Sequence, residues 1–210
     1  MEKVLIVGAN GTTGKLIVDK VKAHKNYEPV AMVRKEDQQP QFENKGVRNV
    51  LADLEENIDH ALEGMDKVIF AAGSGGNTSD EKTILVDQEG AKKVVDAAKK
   101  ANVKKLVMLS SISADEPESN PDLSKYLKAK KEADEHLRNS GLNYTIVRPG
   151  TLTNDKATGS IKKAEKLDTL GKITREDVAA VLTYVLDDDK ETDSTFEMIN
   201  GDTKIEKAIL

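Results

Sequence analysis

The sequence predicts an α/β fold: a doubly wound parallel sheet with helices on both faces, three layers in a single domain over residues 1–210. Three observations predict it. Short β-branched apolar runs alternate with helical patterns along the chain. Several of these runs are apolar without alternation, as in strands covered on both faces. A glycine-rich turn joins the first run to the first helix. Parallel neighbours need right-handed crossovers, and helices between strands supply them. Ligands of such a sheet bind at the carboxyl ends of its strands.

The elements follow in order. The run KVLIVG (3–8) is the first strand, and a helix over 14–24 places Leu16, Ile17, Lys20, Val21 and His24 on one stripe. PVAMV (29–33), VRNVLA (47–52) and KVIFAAG (67–73) are the next three strands. A helix over 84–101 aligns Ile84, Leu85, Gln88, Ala91, Val94, Val95 and Ala98, and it leads to a fifth strand, KKLVMLSS (104–111). A helix over 122–139 precedes the sixth strand, NYTIVRPG (143–150). A last helix over 175–187 and a seventh strand, STFEMIN (194–200), follow. The breaks at 74–80, 114–122 and 150–172 are loops, none long enough to link domains, and 150–210 forms a small substrate-side region.

Composition narrows the function classes. A charged fraction of 33% with net charge −5, both signs intermixed, gives a well-solvated surface without the basic field that nucleic acid requires. No apolar run approaches the roughly 20 residues that cross a bilayer. The start, MEKVLIVG, is too short and too weakly basic at its head for a signal peptide. The absence of cysteine excludes disulfides, thiolate catalysis and cysteine-based metal sites. His24, His60 and His136 are scattered without metal-ligand spacing, so no metal is expected. The expected partner is a small molecule, the address cytoplasmic, and the assembly a monomer or homodimer.

The first strand runs into VGANGTTG (7–14), where Gly8, Gly11 and Gly14 form G-x-x-G-x-x-G at the mouth of a helix. Gly8 turns the chain, Gly11 lets backbone approach a pyrophosphate, and Gly14 permits close helix–strand packing. The helix N-terminus offers unpaired N–H groups to phosphate, and Thr12 and Thr13 add hydroxyls. An NAD-selective site carries Asp or Glu at the end of the second strand to hold the ribose 2′-hydroxyl. Here Arg34 and Lys35 stand there, and Arg34 suits a 2′-phosphate, so NADP(H) is preferred with NAD(H) as the other candidate. Asp53, in LADL (51–54), either accepts from the adenine amino group or caps a helix.

These residues resemble the atypical short-chain dehydrogenase/reductase superfamily, and within it the small NAD(P)H-binding proteins of the NmrA-like and biliverdin reductase B-like type. The resemblance covers nearly the whole chain. It rests on VGANGTTG (7–14), VRK (33–35), LADL (51–54), FAAG (70–73), VDQEGAKKVVDAAKKANVKKLVMLSS (86–111), YLKAK (126–130), YTIVRPG (144–150) and ITREDVAAVL (173–182). It implies a Rossmann-like fold with the dinucleotide lying across the strand ends. Its contacts would then include Asn10 with the glycine turn, Leu54 beside Asp53, the stretch Ala71, Ala72 and Gly73, and Pro149 bordering the nicotinamide. The resemblance also implies a Ser–Tyr–Lys catalytic set.

Tyr126 and Lys130 are four apart on a helix and share a face. A tyrosine hydroxyl titrates near pH 10 in isolation, and an adjacent ammonium favours its ionised form, as a general acid for carbonyl reduction requires. By resemblance Lys130 also holds the nicotinamide ribose. Ser110 and Ser111 close the fifth strand, where a hydroxyl can orient a substrate oxygen; the family pattern points to Ser111, with Ser113 as a substitute. Many relatives carry asparagine as a proton relay where this chain has Asp87.

Three functions compete. The first is an NADP(H)-dependent oxidoreductase acting on a small carbonyl, quinone or flavin-like acceptor. The second is an NADP(H)-sensing regulator, a type that often lacks the tyrosine–lysine pair. The third is a sugar-nucleotide epimerase, disfavoured because only about 60 residues follow the sixth strand. An aromatic content of 3% leaves few surfaces for stacking a flat substrate.

Overall fold

The computed structural model describes residues 1–75 and 79–209. Its parallel strands are β1 (Glu2–Val7), β2 (Tyr27–Val33), β3 (Arg48–Leu51), β4 (Lys67–Phe70), β5 (Lys105–Leu109) and β6 (Tyr144–Pro149). After β6 come β7 (Thr151–Thr153), β8 (Ser160–Ala164), β9 (Lys172–Thr174), β10 (Ser194–Asn200) and β11 (Thr203–Lys204). The main sheet has the order β11-β8-β10-β6-β5-β4-β1-β2-β3, and β7 pairs with β9 in a separate ribbon. All seven expected strands form, and β10 extends the sheet parallel to β6. The chain winds outward from β1 to β3 and returns to β4 on the other side of β1. That reversal opens a crevice at the carboxyl ends of β1 and β4.

Two single helical turns, α2 (Pro40–Glu43) and α3 (Asp59–Leu62), precede β3 and β4. Longer helices cover both faces. On one lie α1 (Thr12–Ala23) and α7 (Arg175–Tyr184), whose Ile17, Val18, Val21, Val178, Val181 and Leu182 pack on Val4, Ile6, Val107 and Val147. On the other lie α5 (Ala91–Lys100) and α6 (Ser124–Arg138), whose Val94, Val95, Ala98, Ala133 and Leu137 pack on Leu5, Phe70, Leu106 and Ile146. Alternate strand residues feed the two cores, which explains the uninterrupted apolar runs.

At the amino ends of the strands, two buried lysines hold the exit of α7. Lys67 Nζ donates to Leu186 O at 2.6 Å and to Asp188 Oδ1 at 2.7 Å. Lys105 Nζ donates to Asp187 O at 2.9 Å. Cations at the carboxyl end of a helix complement its dipole. Burial, with the charge of Lys67 added, pushes Lys105 down to about 8.

Two expected segments differ from observation. The 150–172 stretch contains β7, β8 and β9. Its strand β8 pairs antiparallel with β10 and with the short edge strand β11 through main-chain bonds and carries Lys162 and Lys163, so no apolar pattern announces it. The helix expected over 84–101 begins with one turn, α4 (Asp80–Thr83), and a π-helical stretch, Ile84–Gly90, before α5. The wider π turn shifts the helical phase, leaving Ile84 and Leu85 exposed and Asp87 buried. Within the expected loop 74–80, residues 76–78 lie outside the described residues.

Candidate active site

The glycine turn is built by close packing. Gly8 sits at φ +87°, and a Cβ on it would lie 2.6 Å from the Ala72 backbone. A Cβ on Gly14 would lie 2.1 Å from the Gly8 carbonyl. Both positions therefore require glycine for the turn to seat against the end of β4. Gly11 differs: it is exposed, and a Cβ there would meet only the Gly8 carbonyl, at 3.2 Å. Gly11 is also the N-cap of α1, with no side-chain cap and no acid in the first turn. The open helix end, beside the exposed Thr12 and the buried Thr13, fits a diphosphate.

The turn after β2 is tied to this loop by two glutamines that sequence reading missed. Gln41 Nε2 donates to Asn10 Oδ1 at 2.7 Å and to Gln38 O at 3.0 Å. Gln38 Oε1 in turn accepts the backbone N–H of Arg34 at 3.0 Å and of Lys35 at 3.3 Å. Asn10 is thus committed to scaffolding, while the side chains of Arg34 and Lys35 remain exposed. Ordinary polar residues in a short loop gave no signal of this link.

Asp53 Oδ1 accepts the Glu55 N–H at 3.0 Å, closing a turn; of its two sequence readings, the helix cap is the one this geometry replaces. Leu54 is partly buried and rests against Gly90, where an added Cβ would meet it at 3.2 Å. Ala71 and Ala72 form the wall behind Gly8. Gly73 lies beside Asp87, its hypothetical Cβ 3.3 Å from Oδ1.

Lys130 and Asp87 are brought together from separate helices. Their side chains are 4% and 1% exposed, and Nζ stands 3.0 Å from Asp87 Oδ1. The approach is an ion pair without aligned hydrogen-bond geometry, so Oδ1 has no hydrogen-bond donor among the described residues. Asp87 Oδ2 accepts the Ser74 N–H at 2.9 Å, linking this pair to the chain after β4. Lys130 Nζ also lies 5.5 Å from the Tyr126 ring centroid and 6.0 Å from that of Phe70. Burial opposes its charge, but Tyr126 and Asp87 outweigh it and hold the ammonium above the usual lysine range. Tyr126 is half-buried, and its hydroxyl makes no hydrogen bond among the described residues.

The serines separate into different roles. Ser110 is buried and donates to Asp134 Oδ2 at 2.8 Å. The same oxygen accepts from Arg148 Nη2 at 2.8 Å, and Arg148 Nη2 also reaches Asp115 Oδ1 at 2.8 Å. Burial pushes Asp134 up, opposed by Arg148 and Ser110. Ser110 is therefore spent on this network, whereas Ser111 is half-buried and donates to the neighbouring Ile112 carbonyl at 3.2 Å. Ser113 has a left-handed backbone, φ +65°. Pro149 ends β6, and its carbonyl accepts the Ile112 N–H at 3.0 Å. The stretch ITRED opens α7, as expected: Thr174 caps it by accepting the Asp177 N–H at 3.0 Å. A surface depression lined by Asp115, Arg138, Lys163 and Glu191 shares no residue with the glycine turn or with the Tyr126–Lys130 face.

Residues 8–189 match the profile of the NAD(P)H-binding family. A Bacillus subtilis (strain 168) protein named as an uncharacterized sugar epimerase, YhfK, is 42% identical over 99% of this chain and 98% of its own. A solved Bacillus halodurans structure, provisionally named an NAD-dependent epimerase/dehydratase, superposes with a TM-score of 0.94 at 42% identity, covering 98% of this chain and 97% of that one. The Lactococcus lactis oxidoreductase ylbE gives a TM-score of 0.85 at 36% identity, covering 98% and 94%. The chain belongs to the NAD(P)H-binding family, and its doubly wound sheet is of the Rossmann type.

Proposed function

We propose that this protein is an NADP(H)-dependent oxidoreductase that reduces a small carbonyl, quinone or flavin-like acceptor in the cytoplasm, with Tyr126 as general acid. The observation that carries the reading is the burial of Lys130, held charged by Asp87 and facing the Tyr126 ring. A lysine on a lysine-rich helix is ordinarily solvated; ordering and burying this one costs desolvation that a surface role would not require.

When bound, NADPH supplies the hydride. Gly8, Gly11, Thr12, Thr13 and Gly14 would take the diphosphate on the open end of α1. The exposed Arg34 and Lys35 would meet a 2′-phosphate, the basis for preferring NADPH. Lys130 would hold the nicotinamide ribose, with Ala71, Ala72, Gly73 and Pro149 along the nicotinamide side and Asp53 and Leu54 toward the adenine. Ser111 would turn its hydroxyl from the Ile112 carbonyl to the acceptor oxygen, and Tyr126 would donate its proton there. Residues 150–210 would close the acceptor side. Ile84, Leu85 and Leu123 expose apolar side chains on segments near Tyr126, which suits an apolar acceptor.

Two relatives carry epimerase names, yet nearly their whole length is covered by this short chain. The segment after β6 is spent on β7–β11 and two helices, which favours a small acceptor over a sugar nucleotide. Titration of NADPH and NADH against the protein, followed by NADPH oxidation with menadione, FMN and phenanthrenequinone, tests the reading. Tight NADPH binding with no acceptor reduced would favour a sensing role instead.

A further inference from the structure

Arg148 of β6 and Glu197 of β10 are register partners on adjacent parallel strands, so their side chains leave the same face of the sheet. Both are buried and oppositely charged. No ion pair joins them among the described residues. Arg148 turns to Asp134 and Asp115. Glu197 instead spends both oxygens on backbone: Oε1 accepts the Ser113 N–H at 3.1 Å, and Oε2 accepts the Leu167 N–H at 2.8 Å. Lys166 and Glu116 form an ion pair between the same two segments.

Two stretches remote in sequence therefore hang from one carboxylate. One starts at Ser111 and runs toward α6, which bears Tyr126. The other runs toward Gly171, whose carbonyl would lie 2.3 Å from a Cβ on Gly150, next to Pro149. Ser113 is held at φ +65°, a conformation that a non-glycine residue keeps only where its surroundings enforce it. A buried carboxylate carries a desolvation cost, and here its hydrogen bonds fix loop backbone in place of a cation.

We infer that Glu197 is a positioning residue for the acceptor: by fixing Ser113 and Leu167 it sets the separation of the two segments beside Ser111 and Pro149, and so selects which acceptors fit. The inference rests on the reductase reading above. Glu197→Ala and Glu197→Gln are compared with the wild type in the full chain, with saturating NADPH and with menadione and FMN as acceptors. Hydrogen exchange is followed in peptides covering 111–117 and 165–171.

The alanine variant should raise the acceptor KM by about tenfold while kcat changes less than about threefold and NADPH affinity less than about twofold. Exchange should rise in both segments, and glutamine, which keeps one acceptor oxygen, should recover part of the KM. Faster exchange with an unmoved KM overturns the inference, as does a joint fall of kcat and NADPH affinity. If the alanine variant fails to fold, Glu197→Gln should still raise the acceptor KM by about threefold, and an unmoved KM in that variant overturns the inference. A wild type that binds NADPH but reduces neither acceptor overturns the reductase reading and this inference together. An active wild type with an unmoved KM overturns Glu197 alone.

Discussion

Lys130 Nζ stands 3.0 Å from Asp87 Oδ1, with both side chains closed off from solvent, and the same ammonium faces the Tyr126 ring. Removing the cation alone leaves a buried carboxylate with no counter-charge. Lys130→Met should therefore lower unfolding free energy by about 3 kcal/mol as well as abolish reduction. Urea unfolding with a kinetic assay checks both; a loss of activity with full stability would mean that the pair does not hold the fold as argued.

Tyr126→Phe removes one hydroxyl that makes no hydrogen bond among the described residues. It should leave stability and NADPH affinity near wild type while NADPH oxidation falls by at least about tenfold. An unchanged rate would exclude Tyr126 as the proton donor.

Arg34 is exposed, and among the described residues only its backbone is engaged, by Gln38. Arg34→Ala should weaken NADPH by about tenfold and NADH by less than about twofold, measured by fluorescence titration. Equal losses for the two dinucleotides would refute a 2′-phosphate contact.

The glycines divide by what a methyl would strike. Gly14→Ala places a Cβ 2.1 Å from the Gly8 carbonyl, so it should destabilise the fold by at least about 1–3 kcal/mol. Gly11→Ala meets only that carbonyl, at 3.2 Å, and should keep most of the thermal stability while weakening NADPH by about tenfold. Calorimetry paired with titration separates the two, and matching behaviour in both variants would contradict the assignment.

Lys105 carries a pH signature. Its folded value, pushed down to about 8 by burial and then by the Lys67 charge, lies below the roughly 10.4 of an exposed lysine. The unfolded chain binds more protons between those values, so this group adds stability as pH rises from about 8 toward 10 and loses it as pH falls through 8. The melting temperature of the wild type should rise relative to that of Lys105→Met as pH increases through that window, and only there. Curves that stay parallel across it would show Lys105 to be solvated.

The strand–helix order, the glycine turn and the Tyr126–Lys130 spacing were legible in the sequence because each is local. Apolar periodicity reports which elements form, and glycine reports where backbone must approach backbone. Arg34, Ser111 and Pro149 could be placed at strand ends for the same reason. The π turn before α5 was not legible, since its helical phase is set by packing against α6 and not by propensity.

What only the tertiary structure decided is the fate of each charge. Lys130 is buried and Lys128 two residues away is exposed, although the sequence around them is uniform. Arg148 and Glu197 share a rung yet take different partners, carboxylates for the one and backbone N–H groups for the other. Burial of an ionised group is tolerable only where a remote segment delivers its partner, and that meeting is fixed by how the whole chain closes.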